Sequence, residues 1–215
     1  IMKSKIQSLK NGNKKTVIKK LFLTAAVAVS SLTFAQQFGA KAGMNVSTIS
    51  DEGFDDTKSK VGYYAGVFMN VPISESFSIQ PEVLYNNLGS KVSSTVSGTT
   101  YSSTLNLDYV AVPVMFQYKA TPQFYLEAGP EFGFLVNAKQ KFDNGSSSIV
   151  TELDKEDFNS FNMGVGLGLG FDISKNVGLN ARYVAGFSDI TKESGPAADA
   201  KNKNNTFQVG LNFKF

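Results

Sequence analysis

The side chains that could do chemistry form a narrow set in this 215-residue chain. It contains no cysteine and no histidine, which excludes thiolate nucleophiles, thiolate metal sites and imidazole general bases. Carboxylates, lysines, tyrosines and hydroxyl groups remain, together with a single arginine, Arg182. A Ser-His-Asp triad is therefore impossible. The sequence predicts a protein that is not an enzyme and has no cofactor.

Seven ionisable side chains occupy positions that strands would turn towards one common face. They are Lys41, Glu82, Asp108, Glu127, Glu131, Arg182 and Lys214. Charges enclosed by protein must pair or stay hydrated. We expect a structural network in which Arg182 bridges carboxylates among Glu82, Glu127 and Glu131, and a narrow, gated ion path is the functional alternative.

The elements that must position these charges show a period of two. After residue 37, apolar residues alternate with polar or small residues in eight segments, namely 38–49, 60–71, 77–87, 103–119, 124–136, 158–171, 177–187 and 206–215. This period is typical of β-strands with two unlike faces. In the seventh segment Arg182 lies on the face opposite Leu179 and Tyr183.

The fourth segment departs from this alternation. It begins with Leu105, Leu107 and Tyr109 on the apolar face and Asp108 on the opposite one. An unbroken apolar run around Pro113 follows. Because a proline within a sheet is confined to edges or bulges, the run predicts a bulge near Pro113.

The connections between segments alternate in length. Residues 73–76, 120–123 and 172–176 are short, whereas 50–59, 88–102, 139–157 and 188–205 are long and polar. Outer-membrane barrels have short periplasmic turns and long external loops, and a sheet in lipid must close because open edges are not tolerated. The sequence predicts an all-β, eight-stranded antiparallel up-and-down transmembrane β-barrel with both termini periplasmic. A soluble lipocalin-like barrel is the alternative, but the polar face lacks the dense Lys and Glu of a water-exposed sheet.

Residues 1–35 have the form of a secretory signal peptide. They hold seven lysines and no acidic residue, followed by the apolar run 21–29 and the small residues Thr33 and Ala35. This order predicts cleavage before Gln36 and a barrel domain over 36–215, with an uncleaved amphipathic helix as the alternative. The barrel domain holds 14 basic and 18 acidic residues, a net charge of −4. The basic charge therefore belongs to the leader, and no nucleic-acid partner is expected.

Four stretches carry a resemblance to a known family. They read FGAKAGMN (38–45), YVAVPVMF (109–116), YLEAGP (125–130) and FQVGLNFKF (207–215). In this order they resemble the eight-stranded, Bacteroidetes-type barrels of the outer membrane protein beta-barrel domain family, also called PorT-like. The resemblance implies the outer membrane as location, and a terminal aromatic residue, Phe215, that the barrel assembly machinery reads.

Two further patterns invite a ligand interpretation. The glycines of 164–170 alternate within a strand, whereas phosphate loops need a turn and a helix N-terminus. We expect them to leave room for inward bulk such as Tyr64, Phe68 and Tyr125. The acidic segments 51–56 and 152–157 lack the spacing of a calcium loop, and no metal site is predicted.

Three functions remain open at this point. An eight-stranded barrel has an interior just wide enough to be filled by side chains. The favoured function is an integral barrel in outer-membrane lipid whose external loops bind an unknown surface or periplasmic partner, or which supports envelope integrity. A porin-like channel for small solutes or ions is the alternative, a secretion-associated barrel is less favoured, and the absence of histidine weighs against a membrane-embedded enzyme.

Overall fold

The computed structural model describes residues 36–50, 58–96, 99–155, 158–190 and 202–215. The predicted signal peptide, residues 1–35, lies outside them, as does the acidic segment 51–56. Among the described residues, none form a helix with the length and apolar character of a membrane span.

Nine strands make up the described chain. They are β1 (Gln37–Ser50), β2 (Lys58–Pro72), β3 (Phe77–Val96), β4 (Thr99–Lys119), β5 (Phe124–Asp143), β6 (Ser148–Glu152), β7 (Phe161–Asp172), β8 (Val177–Asp189) and β9 (Lys203–Lys214). Eight of them pair antiparallel in a ring that closes between β1 and β9. The short strand β6 lies outside the ring and pairs only with β5. The predicted eight-stranded up-and-down barrel is confirmed.

The two faces of the sheet are inverted relative to a water-soluble protein. On β8, Arg182 and Asn180 are buried in the lumen. The alternating Leu179, Tyr183 and Phe187 are 44%, 46% and 54% exposed on the outside. An apolar outer face is stable in lipid and unfavourable in water, so the pattern of burial is that of a membrane barrel.

Over its first half, strand β4 turns the opposite set of side chains towards the lumen from the one expected. Leu107 and Tyr109 are buried on the lumen face, so their predicted outward orientation is wrong. The pairing of β4 with β5 shifts next to Tyr109, and Val136 of β5 is left without a partner there. The bulge therefore lies at Val136, and Pro113 pairs in regular register opposite Glu131.

Two of the connections predicted as long loops are largely strand. Strands β3 and β4 stay paired up to Val96 and Thr99, and β5 continues to Asp143 before turning into β6. The segment between β3 and β4 is rich in Ser, Thr and Val, and the segment between β5 and β6 in Ser and charged residues. β-branched residues favour strands, but an apolar period is missing because water surrounds both faces. We call the β3–β4 and β5–β6 extensions the projecting hairpins.

The three short turns share one hydrogen-bonding device. The hydroxyls of Ser74, Thr121 and Ser174 accept hydrogen bonds from the backbone N–H three residues later, at 3.1, 2.9 and 3.1 Å. Such hydroxyl-to-backbone bonds stabilise tight turns. The turns lie at the same end of the barrel as Phe215, whose N–H donates to the carbonyl of Phe38 at 2.9 Å. We call this the terminal end, and the opposite one the hairpin end.

Candidate functional site

A cluster of buried charges crosses the middle of the lumen. Arg182, 1% exposed, donates from Nη1 and Nη2 to the two carboxylate oxygens of Glu82 at 3.0 and 2.8 Å, and from Nε to Glu127 Oε1 at 2.7 Å. Lys41 Nζ donates to Glu82 Oε1 at 2.9 Å. Bidentate pairs of this kind are among the stronger charge-assisted hydrogen bonds. We call these four residues the lumen charge cluster.

The cluster joins strands that are not neighbours in the ring. Lys41 comes from β1, Glu82 from β3, Glu127 from β5 and Arg182 from β8. Each lies on the lumen face because of the period of two along its own strand. The bonds therefore run across the lumen, so they tie opposite walls together and occupy the space where a pore would be.

Glu131 lies on the same face but outside the ion pairs. It is 9% exposed, and its Oε2 has no hydrogen-bond partner among the described residues. Its neighbours in register are Pro113 and Gly164, neither of which offers a side-chain donor. The lumen charge cluster is balanced without it, with two cations and two carboxylates.

Two of the predicted network residues lie elsewhere. Asp108 accepts from Asn87 Nδ2 at 2.5 Å and Asn137 Nδ2 at 3.0 Å, its direct neighbours in register on β3 and β5. It lies on the face opposite Leu107 and Tyr109, which take the lumen positions, and its neighbours leave it only 7% exposed. Lys214 faces the lumen at the terminal end, where its Nζ pairs with Asp172 Oδ2 at 2.6 Å.

A layer of amide side chains fills the lumen between the cluster and the terminal end. Asn70 Nδ2 contacts Ser78 Oγ, Gln80 Oε1 and Gln117 Oε1 at 3.0, 3.2 and 2.8 Å. Gln80 and Gln117 then donate to Glu82 and Glu127, at 2.9 and 3.0 Å. The amides thus satisfy carboxylate oxygens as well as one another. Sequence reasoning missed this layer, although amides on the polar face of neighbouring strands were its signal.

Aromatic rings occupy lumen space that glycines leave free. A Cβ on Gly170 would come within 2.1 Å of the Tyr125 ring, and one on Gly39 within 2.2 Å of the Phe68 ring. Tyr64 lies against glycines of β1 and β9 in the same manner. Of the three rings expected to fill the space beside the glycines of 164–170, only Tyr125 does so. Phe68 and Tyr64 lie against glycines of β1 and β9 instead.

An apolar cluster closes the lumen at the hairpin end. Its buried members are Ile49, Leu88, Leu107, Tyr109, Ala138, Phe158 and Ile190. It includes Leu107 and Tyr109 of β4. The lumen face of this strand is therefore apolar as well as its outer face, which explains why the fourth segment departs from simple alternation. The amide layer, the lumen charge cluster and this apolar cap together fill much of the described lumen.

The projecting hairpins carry a surface groove of about 290 Å³. Its apolar walls are Val92, Tyr101, Phe142 and Ile149, all exposed. Ser103 and Asp143 add polar groups. The Gly145 N–H donates to the Asp143 carboxylate and lowers its pKa, so the group stays ionised. We call this the hairpin groove.

A pair of matched substitutions tests the organisation of the lumen. Glu82→Gln should destabilise the barrel by about 3 kcal/mol or more, because it leaves Arg182 and Lys41 without their shared carboxylate. Glu131→Gln, which removes a carboxylate without an ion pair, should change stability by less than about 1 kcal/mol. Urea midpoints of refolding into liposomes measure both. Equal losses would contradict the separation of Glu131 from the cluster.

Comparison with known proteins agrees with this geometry. Residues 34–192 match the family model described as outer membrane protein beta-barrel domain. Among solved structures, the attachment invasion locus protein Ail of Yersinia pestis is similar, with 15% identity, a TM-score of 0.50, and coverage of 85% of this chain and 100% of that one. Neisserial surface protein A has 12% identity, a TM-score of 0.48 and coverage of 85% and 100%.

These identities show likeness of fold alone, and a search of curated proteins finds no match. The family model, by contrast, spans well over half of the chain. Its description agrees with the closed ring, the apolar outer face and the polar lumen. The chain belongs to the outer membrane protein beta-barrel domain family and is an integral barrel of the outer membrane.

Proposed function

We propose that this protein is an outer-membrane barrel with a closed lumen that acts through its projecting hairpins, in binding at the cell surface or in envelope integrity. The observation that carries the proposal is the cross-lumen bonding of Arg182 to Glu82 and Glu127. The apolar cap supports it from the hairpin end. We therefore assign binding to the projecting hairpins, because surface segments on a rigid scaffold commonly carry binding residues.

The proposal places the hairpin end outside the cell and the terminal end in the periplasm. An even number of strands brings both ends of the barrel domain to one side, together with the three short turns. Phe215 is 72% exposed beside Phe213, which leaves it accessible to the barrel assembly machinery that we propose reads it. Membership of the Bacteroidetes-type, PorT-like group, with a role in secretion, is a narrower version of this proposal.

The leader forms part of the same proposal. We expect cleavage after Ala35 and a mature protein beginning at Gln36, because the lysine-rich stretch, apolar run and small residues follow the order of a secretory signal. Intact-mass measurement on protein extracted from membranes tests this. A mature form that retains Lys19 and Lys20 would contradict it.

Conductance separates the closed barrel from a channel. Purified, refolded protein in planar bilayers should show no sustained single-channel current, because eight strands leave a lumen about one side chain wide. A variant lacking residues 139–157 serves as the control for occlusion by the β5–β6 hairpin. Reproducible current in both proteins would overturn the closed lumen and establish the channel.

The channel alternative has one observation in its favour. Some buried polar atoms between the lumen charge cluster and the apolar cap have no hydrogen-bond partner in the described parts of the chain, including Asn45 Oδ1, Asn86 Nδ2 and Glu131 Oε2. Buried groups of this kind are commonly satisfied by internal water. The charge cluster and the cap border this stretch on both sides, however, so water here would fill an enclosed pocket and not a continuous channel.

A further inference from the structure

The short strand β6 is an open sheet edge. It pairs with β5 alone, and all five of its side chains are exposed. Its sequence, Ser148 to Glu152, is β-branched in the middle, with Ile149 66% and Val150 58% exposed. Natural edge strands are commonly protected by lysine, proline or a covering segment. Within the described part of the chain, β6 has none of these.

The hydrogen bonds at the two ends of the hairpin identify which backbone groups of β6 are free. The N–H of Asn144 donates to the carbonyl of Ser147, and the N–H of Leu153 to the carbonyl of Ala138. Opposing residues in an antiparallel pair alternate between bonded and non-bonded positions. Because both end pairs are hydrogen-bonded, this alternation makes Val150, which opposes Lys141, a non-bonded position. Its N–H and C=O therefore point away from β5, towards the open edge.

On one face of the sheet, the side chains beside this edge form a largely apolar row. Ile149 lies in register with Phe142, which opposes Ser103, which in turn opposes Val92. This row forms a wall of the hairpin groove. An incoming strand would continue this row with one side chain beside Ile149. Every second side chain of that strand would lie on the same face of the sheet, towards the groove.

We propose that β6 receives an extended peptide segment of a partner protein, which adds as a further strand and places alternate apolar side chains against the hairpin groove. The open backbone groups specify a strand, since they can be satisfied along their length only by another extended chain. The inference rests on the proposed function, because the partner must reach the hairpin end from outside the cell.

A second copy of the chain in the same membrane is the less suitable occupant. Two barrels that are inserted in the same direction and pair symmetrically through β6 must be related by a twofold axis along the membrane normal. Antiparallel pairing of identical strands needs an axis perpendicular to the strand, whereas barrel strands are tilted by about 35–45° from the barrel axis. The geometry thus favours a separate polypeptide.

The test uses Val150→Pro and its control Val150→Thr. Proline removes the outward N–H at a position where the β5–β6 hairpin loses no bond, and prolines are tolerated on edges of this kind. Threonine keeps the amide and the β-branched shape. Random decapeptides displayed on phage are selected against purified protein in lipid nanodiscs. We expect enriched sequences with apolar residues at alternate positions, bound about tenfold more weakly by the proline variant than by the threonine variant.

Three outcomes would overturn the inference. They are the absence of enrichment, enriched peptides that bind both variants equally, and a dimer in detergent that only the proline variant abolishes, which would assign the edge to a second copy. Slowed amide exchange at Val150 on binding of an enriched peptide would confirm pairing directly. Labelled peptide that binds nanodiscs but not intact cells would contradict the external orientation while leaving the edge site intact.

Discussion

Replacing Arg182 with alanine should destabilise the barrel by about 3–5 kcal/mol, because removal of one partner leaves buried charges uncompensated. Glu82 loses two hydrogen bonds and Glu127 loses one. Both carboxylates are almost fully buried, so water cannot replace the guanidinium without entering the lumen. This is the largest effect that we expect from any single side chain.

Lys175→Ala is the control for the loss of a positive charge. Lys175 is exposed in the turn between β7 and β8, where a single surface charge contributes little to stability. Urea midpoints in liposomes or detergent should therefore fall for Arg182→Ala and stay near the wild-type value for Lys175→Ala. Equal midpoints for the two variants would refute the structural role of the arginine.

A large effect of a different origin, overpacking of the lumen, is expected at Gly170. In Gly170→Ala the new Cβ would lie 2.1 Å from the Tyr125 ring, so the tyrosine must move and give up the hydrogen bond that it accepts from Asn212. Overpacking of this kind costs about 1–3 kcal/mol. The same urea titration measures the loss.

Two further variants attribute that loss to the ring. Gly133→Ala places its Cβ 3.4 Å from the nearest atom, in Tyr109, which is an ordinary contact, and should be tolerated. In a Tyr125→Leu background, Gly170→Ala should cost much less than in the wild type, because the ring that it meets is gone. An unchanged cost in that background would show that the backbone, and not the ring, makes the glycine necessary.

Much of the barrel could be predicted because lipid and lumen impose unlike faces on each strand. Alternation correctly located all eight ring strands and placed Arg182, Glu82, Glu127 and Lys41 on the lumen face. Their mutual pairing could be anticipated, since one arginine among several enclosed carboxylates has few other ways to be satisfied.

Alternation did not predict which side chains of β4 face the lumen. Leu107 and Tyr109 are apolar and were expected to face lipid, yet they close the lumen at the hairpin end. An apolar residue is stable in either environment, so hydrophobicity alone does not determine its face. The bulge at Val136 adds a further shift of one residue, and nothing local in the sequence marks it.

The projecting hairpins were missed for a related reason. Outside the membrane both faces of the sheet meet water, and the period of two disappears from the sequence. The Ser- and Thr-rich stretches before Val96 and after Thr99 then look like loops, although cross-strand pairing orders them. The pairing partner, and not the local composition, determines structure in such segments.

The lumen charge cluster also bears on the order of assembly. Its carboxylates arrive with β3 and β5, whereas its arginine belongs to β8, next to the last strand of the ring. A sheet built from β1 up to β7 therefore holds both carboxylates with Lys41 as their only cluster cation. A sheet built from β7 to β9 holds Arg182 without either carboxylate. Burying such an intermediate in lipid would cost several kcal/mol. Insertion of a sheet that lacks β8 is therefore less favourable than insertion of one in which β3, β5 and β8 are all present.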